Sequence, residues 1–153
     1  MSSPAHDIVA ARKTALEQEL IDGIAFEHSR AVGDYWIGNM LMIITLASSA
    51  AAGFGGLLNW FSPQVIGALA LVPGILALAE GEMKFHGKSE WHYRKQYALE
   101  GLHSRLRFQM PAAPNADQIA AIASERDDLK IKMNKEWNER FQLNWTAFGR
   151  KKP

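Results

Sequence analysis

Between residues 35 and 79 the chain carries no Asp, Glu, Lys, Arg or His, and this run is broken only once, by Asn59, Trp60, Phe61, Ser62, Pro63 and Gln64. That cluster is polar and turn-forming, with Ser62 placed to cap a helix and Pro63 to begin one, so it divides the run into two helical arms. The first arm, residues 37–58, has 22 residues and reaches about 33 Å as helix, enough to cross a hydrocarbon core about 30 Å thick. The second arm, residues 63–79, has 17 residues and reaches about 26 Å, which puts Glu80 and Glu82 at or just beyond the headgroup level. The pattern predicts a transmembrane hairpin, with Tyr35, Trp36, Trp60 and Phe61 as interface anchors at the two ends of its first span. The other reading of the run, a buried hairpin in a soluble protein, needs a larger core than the remaining roughly one hundred residues can wrap around it.

Before the run, Ile8, Ala11, Ala15, Leu16, Leu20 and Ile24 recur at helical spacing with Arg12, Lys13, Glu17 and Glu19 between them. This predicts an amphipathic helix over 7–31, weakened at Gly23 and Gly33, with a bend before the first span. After the run, Trp91, Tyr97, Ala98, Leu102 and Leu106 form an apolar stripe, and the second span is expected to continue as helix to 110, where Pro111 and Pro114 stop it. Asn115, with Gln118 three residues on, opens a further helix whose apolar face is Ile119, Ile122, Leu129, Met133, Trp137 and Phe141. Asp128 with Lys132 and Glu136 with Arg140 give i,i+4 pairs on its polar side. No strand periodicity and no internal repeat occur.

The expected fold class is therefore all-α. A single domain over 1–153 is made of an N-terminal cytosolic helix (7–31), transmembrane helices over 36–58 and 62–82, and a cytosolic helical hairpin (83–110 and 115–148), with the N-terminal helix packed alongside. The 28 residues of 83–110 reach about 42 Å, and a return helix of equal length brings Trp145, Phe148, Arg150, Lys151 and Lys152 back to headgroup level as anchors. An ordinary basic terminus is the other reading of that tail.

Charge gives the hairpin an orientation. The chain has net charge −3 before Tyr35 and +6 from Lys84 onward, and the loop between the spans carries none. With Arg30 before the first span and Lys84, Lys88, Arg94 and Lys95 after the second, both termini are expected in the cytoplasm of a bacterial inner membrane protein. The absence of cysteine excludes a disulfide framework and thiolate chemistry. The apolar run starts behind an acidic segment, so a cleavable signal peptide is not expected.

Small residues recur at four-residue spacing in both spans: Ser48, Ala52 and Gly56 or Ser49 and Gly53 in the first, and Ala70, Gly74 and Ala77 with Gly81 in the second. Such spacing lets helices approach closely in lipid, within one hairpin or between subunits, and Ala52, Gly53, Gly56 and Gly74 are the candidate packing residues of a homo-oligomer. Pro73 removes a backbone donor mid-span and marks a hinge. Around a channel, Thr45, Ser48 and Ser49 would line the pore near mid-depth and Glu80 and Glu82 would form an acidic ring at its cytoplasmic mouth, favouring cations. Two solvated glutamates at the end of a span are the plainer alternative.

Signals for other chemistry are weak. Gly87-Lys88-Ser89 ends like a phosphate-binding loop, but Gly81 is one position too far upstream and no strand leads into it. Glu100 and His103 match a di-iron bundle motif once, where two motifs and two further glutamates are needed. No catalytic residue, metal site or cofactor is expected. The basic residues of the C-terminal half alternate with acids, the pattern of an ion-paired helix, so nucleic acid is not an expected partner.

The order of elements resembles the SLATT family of bacterial two-span effector domains. The resemblance rests on Asp34-Tyr35-Trp36 leading into the first span, the tight hairpin, and Trp91-His92-Tyr93-Arg94 with Tyr97, Ala98 and Leu102 on the following helix, over about residues 27 to 148. It implies an oligomeric membrane effector of conflict or anti-phage defence, forming a pore or perturbing the membrane when a separate sensor protein or a nucleotide signal triggers it. A structural or accessory subunit that anchors a larger membrane complex is the alternative.

Overall fold

A computed structural model describes residues 4–111 and 114–141, with the side chains of residues 4–6 excepted. The described residues are all helical apart from short connections: α1 (Pro4–Leu57), α2 (Pro63–Met83), α3 (Phe85–Ser104), a π-helical turn (Arg105–Gln109) and α4 (Ala116–Phe141). No strand occurs among them.

The helix α1 runs for 54 residues without interruption at Gly23 or Gly33. A glycine costs a helix about 1 kcal/mol relative to alanine, which long helical flanks and packing readily absorb. At Gly23 that packing is visible, since a Cβ there would stand 3.3 Å from Leu99 Cδ1. The chain then turns where the polar cluster predicts. Asn59 takes the left-handed conformation at φ 52°, a region asparagine tolerates, and the Trp60 N–H donates to the Gly55 carbonyl at 2.9 Å. Pro63 opens α2 as its first residue, with Ser62 extended before it; the Ser62 hydroxyl makes no cap hydrogen bond, and its carbonyl accepts the Ile66 N–H instead.

The second span does not continue unbroken to 110. Lys84 adopts φ 51°, ψ 45°, closing α2 with its N–H on the Glu80 carbonyl while its own carbonyl begins α3 by accepting the Lys88 N–H. A left-handed lysine costs roughly 1–2 kcal/mol and nothing in its residue type announces it. At the far end, Met110 is extended (φ −83°, ψ 147°), as the steric demand of the following Pro111 requires. The capping box at the start of α4 forms: Gln118 N–H donates to Asn115 Oδ1 at 2.8 Å and Asn115 N–H to Gln118 Oε1 at 3.0 Å.

The chain forms two compact units, Met1–Ala31 with Glu90–Arg140, and Val32–Ser89 with Phe141–Pro153. In the first, α1, α3 and α4 enclose a core of Leu16, Leu20, Leu99, Leu102, Leu106, Ile119 and Ile122, with Leu20 and Leu106 wholly buried. Among the described residues the second has no comparable core. Its helix α2 contains no buried residue, and large apolar side chains stand open along both arms, Leu57 at 80% exposure, Leu78 at 74% and Leu71 at 67% among them. The helical runs Asp7–Leu57 and Pro63–Gln109 are each long and apolar enough to cross a membrane.

Candidate functional site

In the second unit the three hydroxyls singled out as pore-lining sit within two turns of α1 and are satisfied by its own backbone. Thr45 Oγ1 donates to the Leu41 carbonyl at 2.8 Å, and Ser48 Oγ and Ser49 Oγ both donate to the Thr45 carbonyl, at 3.0 and 2.8 Å. Helical back-bonding of this kind lets a hydroxyl reside in an apolar span without water. Ser48 is buried and Ser49 exposed.

The two glutamates at the end of α2 differ. Glu82 is exposed, whereas Glu80 is half-buried and its Oε1 lies 2.8 Å from His86 Nδ1, across the Lys84 break. The His86 ring rests over Gly38 of α1, where a Cβ would fall 2.6 Å from His86 Cε1. Gly38 is thus the seat of the histidine, a role its place in an apolar run conceals.

The candidate packing residues divide in the same way. Ala52 is half-buried, and a Cβ on Gly56 would make ordinary contact with Ile66 at 3.7 Å, so this face serves the hairpin itself. The closest approach is made by Gly55, buried under the Phe61 ring. Among the described residues, Gly53, Gly67, Gly74 and Gly81 meet nothing within 4 Å. Pro73 lies within α2, which continues past it to Met83. Tyr35, Trp36, Trp60 and Phe61 are all exposed. Trp145, Phe148, Arg150, Lys151 and Lys152 lie outside the described residues.

The first unit contains an ionic cluster. The buried stripe of α1 runs through Leu16, Leu20, Glu27 and Ala31, and that of α3 through His92, Gln96, Leu99 and Leu102, so the same spacing that builds the core carries polar residues at one end of it. Glu27 is engaged on both oxygens: His92 Nδ1 donates to Oε2 at 2.6 Å, and Lys95 Nζ lies 2.6 Å from Oε1. Burial pushes the Glu27 carboxyl up, but the hydrogen bonds and positive charge of His92 and Lys95 outweigh it and hold the group below the ordinary carboxylate value. His28 Nδ1 donates to Gln96 Oε1 at 3.1 Å, and Gln96 Nε2 to Glu100 Oε1 at 2.7 Å. Trp91 packs edge to face against Trp137 at 4.7 Å between ring centres, and Lys95 Nζ sits 5.0 Å from the centre of the Trp91 ring.

On α4 the i,i+4 pair between Glu136 and Arg140 forms at 3.2 Å, and Arg94 of α3 joins it at 2.6 Å. Arg126 pairs with Glu19 of α1 and with Asp127, contacts that with their charge overcome its partial burial and raise its pKa. Beside these groups opens a cavity of about 180 Å³, lined by Glu19, Gly23, Glu27, Lys95, Leu99, Arg126, Leu129 and Lys130. Among the described residues no group of three or more His, Asp or Glu is placed to hold a metal ion.

The sequence reading used Lys95 only as an orienting charge, and it missed the contacts that Glu27, Lys95, Gly38 and His86 make. Extending the four-residue recurrence Leu16, Leu20 onward to Glu27 and Ala31 exposes Glu27 as a carboxylate on a buried face. No protein-family profile, curated protein or solved structure matches the chain.

Proposed function

We propose that the chain is an oligomeric integral membrane protein, an effector that forms a pore or perturbs the bilayer when triggered by a sensor partner or nucleotide signal, in bacterial anti-phage or conflict defence. The observation that carries the membrane part is the second unit: two apolar arms, each of spanning length, whose α2 has no buried residue. Contiguous exposed apolar surface on that scale belongs against lipid or another chain, since soluble monomers expose only patches of a few hundred Å². Backbone-satisfied hydroxyls at Thr45, Ser48 and Ser49 fit the same surroundings.

In this reading the hairpin crosses the inner membrane twice with both termini in the cytoplasm, on the strength of the basic residues from Lys84 onward. Gly53, Gly67, Gly74 and Gly81, open in the single chain, supply faces on which subunits pack closely. Glu80 and Glu82 stand at the cytoplasmic mouth. Induced expression in cells loaded with a membrane-potential dye tests the effector reading, with depolarisation under triggering conditions as the expected result and unchanged polarisation as the contrary one.

A second reading, an accessory subunit anchoring a larger complex, draws on exposed Tyr97, Phe108 and Ile131 in the first unit. Purification in detergent separates the two: a homo-oligomer favours the effector, stoichiometric unrelated proteins the anchor.

A further inference from the structure

We propose that the open cavity between α1, α3 and α4 in the first unit binds a small multivalent oxyanion, as free phosphate or as the phosphate group of an ester. The proposal concerns this unit alone and holds whether or not the spans form a pore.

Three helices contribute walls of different character. From α1 come Glu19, Gly23 and Glu27, spaced four residues apart on one face; from α3 come Lys95 and Leu99, one turn apart; from α4 come Arg126 and Lys130, one turn apart, with Leu129 between them. Gly23, Leu99 and Leu129 supply the apolar lining. The cavity volume of about 180 Å³ is ample for a small polyatomic anion.

Its charges are unequally committed. Glu27 is buried and has both oxygens engaged, by Lys95 and His92, so it is fixed and locally neutralised. Glu19 is different: its side chain is 66% exposed and its partner is Arg126. The carboxylate lies mostly in water while the Arg126 side chain is largely covered and retains Asp127, so a ligand that takes the place of Glu19 displaces it into water at small cost. Lys130 has no ion-pair partner among the described residues. Once Glu19 turns out, Arg126 keeps Asp127 on Nε and Nη2 and presents its Nη1 to the cavity beside the Lys130 ammonium, while Lys95 stays on Glu27. A planar guanidinium beside an ammonium matches the tetrahedral, multiply charged oxygens of a phosphate better than a carboxylate or chloride.

The test is calorimetric titration of the detergent-solubilised full chain with inorganic phosphate, pyrophosphate and phenyl phosphate at fixed pH and low salt. Saturable binding is expected. Lys130→Gln is expected to weaken it by about tenfold, the loss of one charge-assisted hydrogen bond. Glu19→Gln, which removes the competing carboxylate, is expected to tighten it. Lys135→Gln, on a residue paired with Glu139 and outside the cavity lining, leaves it unchanged. Phenyl phosphate binding more tightly than phosphate assigns the site to an ester; the reverse assigns it to the free ion. Absence of saturable binding up to about 10 mM with all three probes overturns the proposal. So does affinity unchanged in Lys130→Gln and in Glu19→Gln, which would show an unspecific anion effect.

Discussion

The Glu27 carboxylate and the His92 imidazole meet at 2.6 Å inside the first unit, 65 residues apart in sequence, with the Lys95 ammonium on the other carboxylate oxygen. This contact ties α1 to α3 at the polar end of their shared core. Its value to the fold lies in completion: each charge is buried only because the others are present.

Removing one partner therefore costs more than the pair contributes. Glu27→Ala leaves Lys95 and His92 facing an unfilled space, and the expected loss is about 3 kcal/mol, near the lower end of the range for breaking a buried ion pair. Thermal unfolding of the detergent-solubilised protein followed by helical circular dichroism measures it. A change in midpoint of under about 2 °C would show that the cluster is not a stabilising element.

Acid should act through the same residue. Because the folded-state pKa of Glu27 lies below its unfolded value, its contribution is fully present above the unfolded carboxylate pKa of about 4.3 and is lost as pH falls through the folded value. Glu136, lowered by its hydrogen bond to Arg94, has the same sign. Stability of the first unit is expected to be level from pH 7 to about pH 5 and to fall below it. Glu27→Gln should flatten part of that decline, and an unaltered pH profile in this variant would refute the assignment.

Two glycines of the hairpin should respond in opposite ways. A Cβ at Gly55 runs into the Phe61 ring, so Gly55→Ala must displace the ring and disturb the turn. Gly74 meets open space, and Gly74→Leu leaves the single chain undisturbed while blocking close approach of a second one. Chemical cross-linking in mild detergent is expected to show oligomers for Gly55→Ala but fewer for Gly74→Leu. Equal cross-linking in Gly74→Leu and the parent chain would remove α2 from the subunit interface.

The histidine seated over Gly38 makes a further prediction. Gly38→Ala pushes the His86 ring out of its seat and away from Glu80, at a modest cost in stability because the ring is the far end of a half-exposed side chain. His86 should then react faster with diethyl pyrocarbonate, by several-fold. An unchanged rate of His86 modification, read by mass spectrometry, would contradict the seating.

Much of the fold was legible because single residues carry strong local instructions. Pro63 begins α2, Pro111 forces Met110 out of helix, and Asn115 with Gln118 closes a capping box, each through sterics or hydrogen bonds within a few residues. What stayed hidden depends on contacts between distant segments. Gly23 reads as a weak point in a helix until Leu99 is beside it, and Glu27 gains a role only where His92 and Lys95 meet it. Lys84 was hidden for another reason: its left-handed conformation defies the preference of its own residue type.

The Lys84 break also has an electrical side. A helix carries about half a positive charge at its N-terminus and half a negative charge at its C-terminus. In one straight helix from Pro63 to Ser104, Glu80, Glu82, His86 and Lys88 would all lie mid-helix and feel neither. The break instead gives the two glutamates a helix C-terminus and gives His86 and Lys88 a helix N-terminus, the unfavourable sign at each end. Each such placement costs about 0.3–1 kcal/mol, and together with the left-handed lysine the joint costs on the order of a few kcal/mol, offset in part by the Glu80–His86 contact. The broken joint therefore depends on contacts made at its own level, the Glu80–His86 pair and the seat of His86 over Gly38. Any charged group at this one level of the chain meets two helix ends of opposite sign at once.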